Sequence, residues 1–189
     1  MCIVKKLIRK YVIYMEWVSY ILSAVSLILF LGASLIKGKK INLILIMLFA
    51  GNALLGIGYL ISGGINGAAS SFLGAIVTII NYFFTRDGKK IPVWLSICYA
   101  IIFTIVNIIA ANGLSFASTL VIITAYAYIM CIAQENGKMY RVWATLNVVV
   151  WCIYDLTQHQ SAQLLQHSVQ LLITLIGMII YDRKKENKI

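Results

Sequence analysis

Acidic residues are scarce in this chain: six Asp and Glu stand against sixteen Lys and Arg in 189 residues. Charged residues of both signs make up only 12%, about half of the roughly 25% usual in soluble domains, which excludes a water-soluble globular domain. Proline is nearly absent. Pro92 is the single one, and the long unbroken apolar runs favour helices, because a bilayer admits only helices or closed barrels and the period-two alternation of barrel strands is missing. The four cysteines, Cys2, Cys98, Cys131 and Cys152, have no paired metal spacing, so they read as small lipid-compatible residues. His159 and His167 have no acidic partner at metal or triad spacing, and no phosphate-cradling glycine motif is present. Catalysis therefore finds no support, and neither a catalytic residue, a metal nor a cofactor is expected.

Apolar residues are what the chain does have: 61% of it is hydrophobic and its mean hydropathy is +0.91. It reads as an all-α polytopic membrane protein with the lipid bilayer as its principal partner. The net charge of +10 is split into short blocks between apolar runs, the positive-inside pattern rather than a nucleic-acid surface.

Runs of about 20 apolar residues, the length needed to cross a hydrocarbon core of about 30 Å, give seven spans: residues 17–36, 42–61, 68–84, 92–111, 114–133, 139–156 and 164–181. Lys37, Lys39 and Lys40 close the first; Ser62, Gly63 and Gly64 make an uncharged turn after the second; Arg86, Asp87, Lys89 and Lys90 end the third. Asp182, Arg183, Lys184 and Lys185 end the seventh. After residue 14, every Lys and Arg lies in or beside loops one, three and five or in the tail, which places the C-terminus in the cytoplasm and the N-terminus outside. Residues 1–14 object to this, with Lys5, Lys6, Arg9 and Lys10 at roughly helical spacing. They read as a basic amphipathic helix on the membrane surface, or as an extension upstream of an alternative start at Met15.

Asn52 to Lys90 returns 95 residues later as Asn147 to Lys185, matching at Asn52/Asn147, Tyr59/Tyr154, Asp87/Asp182, Lys89/Lys184 and Lys90/Lys185. This points to an internal duplication. Residues 15–90 form a first three-helix repeat, 91–112 a linker helix, 113–185 a second repeat and 186–189 a cytoplasmic tail. Because three is odd, the lone helix lets both triplets enter the membrane in one direction, so the repeats are parallel, in a 3+1+3 arrangement.

Trp17, the run GYLISGGINGAASSFLGAIVTIINYF from Gly58 to Phe83, and WCIYDLTQHQSAQLLQHSVQLL from Trp151 to Leu172 resemble the small bacterial inner-membrane proteins of the YgjV family. That family is grouped with the SWEET and PQ-loop sugar transporters and with PnuC-type vitamin-precursor transporters. The resemblance implies a multi-pass protein of the bacterial inner membrane with a central cleft between its repeats. The Pro-Gln hinge of PQ-loop proteins has no counterpart, since Pro92 lies in the linker.

Polar residues deep in apolar spans usually face a bundle interior. Asn52 and Asn147, matched by the duplication, could grip hydroxyl or amide groups of a solute; helix-to-helix hydrogen bonding, about 0.6 kcal/mol on average, is the plainer alternative. Trp151, Tyr154 and Asp155 share a stripe with Asn147 by their spacing of three and four. The indole would supply a stacking wall where Gly56 leaves space in the first repeat, while an aromatic belt at the outer interface is the other explanation for Tyr154 and Asp155. Gln166, His167 and Gln170 form a polar patch opposite Ser71, Phe72 and Ala75 in the duplication; solvation at a cleft mouth would explain them equally. Asn81 and Asn107 each stand alone in an apolar run.

The candidate substrate-binding set is thus Asn52, Asn147, Trp151, Tyr154, Gln166 and Gln170. The expected function is a facilitator or transporter of a small, polar, neutral solute, sugar-like or vitamin-precursor-like, with no nucleic-acid partner; a homo-oligomer is compatible with the sequence. The alternative is a non-transporting subunit or sensor whose cleft is closed by packing, for which the small residues from Gly63 to Ser71 are suited. A reporter fused after Lys185 should be cytoplasmic and one inserted at Gly63 external; reversed labelling defeats the orientation.

Overall fold

The computed structural model describes residues 2–35, 41–89, 91–134 and 137–186. Seven helices account for nearly all of them: α1 Cys2–Leu35, α2 Ile41–Ile61, α3 Ile65–Arg86, α4 Val93–Ala110, α5 Phe116–Ile132, α6 Gly137–Thr157 and α7 Ser161–Glu186. The fold is all-helical among the described residues. Five stretches are long and apolar enough to cross a membrane: Ile13–Ala33, Asn42–Ile61, Ile65–Arg86, Val93–Ala110 and Ser161–Ile179. The chain is a helical, multi-pass membrane protein in its lengths and composition. α5 is equally apolar but has 17 residues, which spans about 26 Å at about 1.5 Å per residue. α6 carries Arg141 near its start and Asp155 near its end.

The N-terminal segment differs from its expected form. Residues 2–14 are not a separate surface helix but the first turns of α1, which runs without interruption for 34 residues. The reason is local: no proline or glycine stands between Cys2 and Phe30 to break the helix. The loop from Lys37 to Lys40, together with Lys90, Glu135, Asn136 and residues 187–189, lies outside the described residues, as do the side chains of Lys5, Lys6 and Arg9.

Six helices close a ring. α1 packs on α2, α2 on α3, α3 on α5, α5 on α6, α6 on α7, and α7 returns to α1. α4 stands outside the ring against α3 and α5. Its buried residues, Leu95, Tyr99, Phe103 and Asn107, recur every fourth position and make one narrow stripe, while Val93, Trp94, Ile97, Ile101, Ile105 and Ile109 are exposed as lipid-facing residues are. The α4 stripe is pinned to α3 by the Tyr99 hydroxyl, which donates to Asn81 Oδ1 at 3.0 Å.

Lipid offers no hydrophobic drive to pair helices, so close packing and polar bonds hold them together. The α1 seam follows this rule. Ser19, Ser23 and Ser26, spaced four and three apart, are all buried. Ser19 Oγ donates to Gly58 O at 3.2 Å and Ser26 Oγ to Gly51 O at 2.9 Å. From the other side, Gln163 Nε2 donates to Ser19 Oγ at 3.1 Å and Gln166 Nε2 to Ser26 Oγ at 3.4 Å. These bonds staple α1 to α2 and α7 to α1, which closes the ring.

The α2–α3 and α6–α7 hairpins turn in the same way. In the first, Gly63 takes φ +80° and Gly64 N donates to Tyr59 O at 2.8 Å. In the second, His159 takes φ +55° and Gln160 N donates to Asp155 O at 2.9 Å. Each is a left-handed residue closing a helix C-terminus with a six-to-one bond. The two turns are displaced by 96 residues, one more than the 95 that aligns the sequence identities. One residue is about 100° of rotation on a helix: the turn bonds line Tyr59 up with Asp155 and Asn52 with Val148, whereas the sequence identities line Tyr59 up with Tyr154 and Asn52 with Asn147.

Candidate functional site

A cavity of about 80 Å³ lies within the ring. All six ring helices reach it: Phe30 from α1, Asn52 from α2, Ser71 and Gly74 from α3, Tyr128 from α5, Asn147 and Trp151 from α6, His167 and Gln170 from α7. Phe103 of α4 touches it from outside the ring. The volume suffices for several water molecules and is about half the 150 Å³ of an apolar cavity that accommodates benzene.

Asn52 Nδ2 donates to Leu48 O on its own helix at 2.8 Å and to the Tyr128 hydroxyl at 3.4 Å. Tyr128 in turn lies 2.7 Å from Thr78 Oγ1, which donates to Gly74 O. Asn147 Nδ2 donates to Thr124 O at 2.7 Å. Both asparagines thus lean on α5, and each brings an amide to the cavity wall. They share the cavity, but their bonds are not copies of one another.

Of the six residues singled out from sequence, Asn52, Asn147, Trp151 and Gln170 line the cavity. Tyr154 and Gln166 do not. Tyr154 is fully buried, and its hydroxyl accepts from Gly67 N at 3.0 Å; Gln166 turns to α1 and bonds Ser26. Gly56 does not open space on the cavity, because a Cβ there would meet the Phe72 ring at 2.9 Å. Asn81 holds α4, and Asn107 Nδ2 donates to Phe103 O of its own helix at 2.8 Å. Asp155 and Tyr154 are not belt residues at an interface: both are at most 1% exposed.

The strongest polar constellation went unseen in the sequence. Asp155 Oδ1 accepts from the Tyr59 hydroxyl at 2.5 Å, and Asp155 Oδ2 lies 2.6 Å from His167 Nδ1. The Tyr59 hydroxyl donates to Oδ1 and the imidazole Nδ1 faces Oδ2, so both carboxylate oxygens have a partner. Trp151 buttresses the cluster: its ring stacks on His167 at 5.5 Å and 14°, and on Tyr59 at 5.5 Å and 29°. The indole is therefore already engaged by two rings, which limits its use as a stacking wall for a solute. The signal that could have found the cluster is the rarity of the residues. Asp155 is a carboxylate in an apolar span and His167 an imidazole one hairpin later, and intramembrane ionisable groups seek one another.

No family model, curated protein or solved structure matches the chain.

Removing one partner of this cluster should cost more than removing any surface bond. Asp155→Leu leaves a buried imidazole and a buried hydroxyl without their acceptor and should destabilise by about 3–5 kcal/mol. Tyr59→Phe leaves one carboxylate oxygen short and should cost about 1–3 kcal/mol. Tyr126→Phe, at an exposed ring bonded to Thr104, should stay within about 0.5 kcal/mol. Unfolding of the detergent-solubilised variants measures all three; equal losses would remove the cluster from its structural role.

Proposed function

We propose that the chain is a facilitator or transporter of a small, polar, neutral solute in the bacterial inner membrane, binding that solute in the cavity between two parallel three-helix repeats. The first repeat is residues 15–90, the second 113–185, and 91–112 is the linker helix. This is the arrangement that the resemblance to the YgjV family implies, with its SWEET-like relatives and a cytoplasmic C-terminus.

The observation that carries the reading is the pairing of the cavity wall. With the 96-residue displacement of the two turns, Leu48 pairs with Ala144, Asn52 with Val148, Leu55 with Trp151, Ser71 with His167 and Gly74 with Gln170, and all ten line the cavity. The helix neighbours support it too. Exchanging α1, α2, α3 for α5, α6, α7 turns the α1–α7 contact into α5–α3, and both are present. A cavity on such a pseudo-two-fold axis, with Asn52 set against Val148 and Gly74 against Gln170, suits an asymmetric ligand. The amides of Asn52, Asn147 and Gln170 offer donors and acceptors for hydroxyl or amide groups and no net charge, which favours a neutral solute. At its present volume the cavity takes a few non-hydrogen atoms, so a sugar-sized solute requires the halves to part.

The second reading, a subunit or sensor with a closed cleft, has one observation in its favour: Gly67 and Ala68 are buried at the hairpin contact, where a Cβ on Gly67 would come within 2.7 Å of the Tyr59 ring. Binding of purified protein to a panel of sugars, nucleosides and vitamin precursors separates the two. A panel member should bind, and Asn52→Leu or Asn147→Leu should each weaken it about tenfold or more, about 1.4 kcal/mol, while Tyr126→Phe binds as the parent does. If no panel member binds, or if both leucine variants bind it unchanged, the solute site is not in this cavity.

A further inference from the structure

Among the described residues, Asp155 and His167 are the buried carboxylate and the buried imidazole; the other described acids and bases are exposed or half-exposed. We propose that the two form a proton-binding site in the cavity wall, loaded from the cavity onto Nε2 of His167. The geometry leaves that atom for the task. Nδ1 is held 2.6 Å from Asp155 Oδ2, Tyr59 fixes Oδ1, and the imidazole ring itself lines the cavity. With one proton between Nδ1 and Oδ2 the pair carries a net charge of minus one. A second proton, taken on Nε2, makes an imidazolium facing a carboxylate, and the net charge becomes zero.

Among the described residues no Lys or Arg is buried. Tyr59 faces the pair from α2, and Cys152 and Tyr154 accompany it on α6. Ser71 of α3 and Tyr128 of α5 line the same cavity, and Ser26 of α1 bonds Gln166, the residue before His167. The stacked indole of Trp151 adds a π face that stabilises an imidazolium. The route we assign to the proton runs from the turn along α7. Gln160, Gln163, Gln166 and Gln170 descend from the turn to the cavity at spacings of three and four, each with a buried Oε1 lacking a protein partner. Ser23 Oγ beside them lacks one as well. Orphaned oxygens of this kind are where ordered water sits, and a file of water carries protons.

The proton site stands on this cluster alone. Its link to a solute rests on the transporter reading: two ligands sharing one cavity are coupled, which makes the proton the coupled ion.

Trp151 reports the site directly, because a protonated imidazole quenches a stacked indole. Replacing Trp17, Trp94 and Trp143 by Phe leaves Trp151 as the single indole of the full-length, detergent-solubilised protein, and its emission is followed from about pH 9 to about pH 4, across the ordinary histidine range. Emission should fall in one single-proton step that His167→Gln abolishes. Asp155→Asn should displace that step, because it replaces the carboxylate that faces the imidazole. If that variant does not fold, Tyr59→Phe tests the same coupling, because it removes the hydroxyl bonded to Oδ1 and should also displace the step. Flat emission, a step that survives His167→Gln, or a midpoint unmoved by the carboxylate and tyrosine variants overturns the proposal. The titration needs no solute, so an empty result from the binding panel would leave it standing.

Discussion

A carboxylate buried inside a membrane bundle must be satisfied on both oxygens, and the Asp155 carboxylate meets that demand by joining three helices. Tyr59 reaches it from α2 and His167 from α7, while Asp155 itself belongs to α6. By the geometry of the two hairpin turns, Tyr59 and Asp155 occupy corresponding positions, so the bond between them joins equivalent points of two similar hairpins. A bond of that kind lies where a two-fold axis would pass. The same 96-residue displacement relates two further contacts. Gly58 sits 3.2 Å, measured from a Cβ built on it, from Gln163 Nε2, and the counterparts of these two residues, Tyr154 and Gly67, share the 3.0 Å hydrogen bond from Gly67 N.

The small residues follow from this constraint. Tyr59 can lie flat in the core only because Gly67 and Gly64 have no side chain where its ring sits; a Cβ would come within 2.7 and 3.0 Å of it. One hairpin therefore supplies glycine and tyrosine where the other supplies glutamine, aspartate and histidine. The cavity inherits that asymmetry: Ser71 and Gly74 on α3 face His167 and Gln170 on α7. Polar chemistry is concentrated on the second half, and room for it is made by the first.

Helix number and placement were legible because apolar run length is a one-dimensional property that lipid enforces. Helix ends were less so: α3 begins at Ile65 and α7 at Ser161 rather than three residues later; in α7, Gln163 is tolerated because it is buried in protein rather than lipid. Asn52, Asn147, Trp151 and Gln170 line the cavity, and their depth in apolar runs is visible in sequence. Tyr154 and Gln166 meet Gly67 and Ser26 instead, because depth does not say which neighbour a side chain meets. The Asp155 cluster depends on a partner 96 residues away and on a register that identities at 95 residues obscure. Matched letters such as Tyr59 and Tyr154 marked similarity of composition, while the turn bonds marked equivalence of position.

The dependence of the two halves on the Tyr59–Asp155 bond is tested most directly by a double-mutant cycle in unfolding free energy, with Tyr59→Phe, Asp155→Leu and the two combined in the detergent-solubilised protein. If the bond joins the halves as described, the double variant loses at least about 1 kcal/mol less than the sum of the single losses, as for residues in one network. Losses that add to within about 0.5 kcal/mol, as for independent sites, would contradict it.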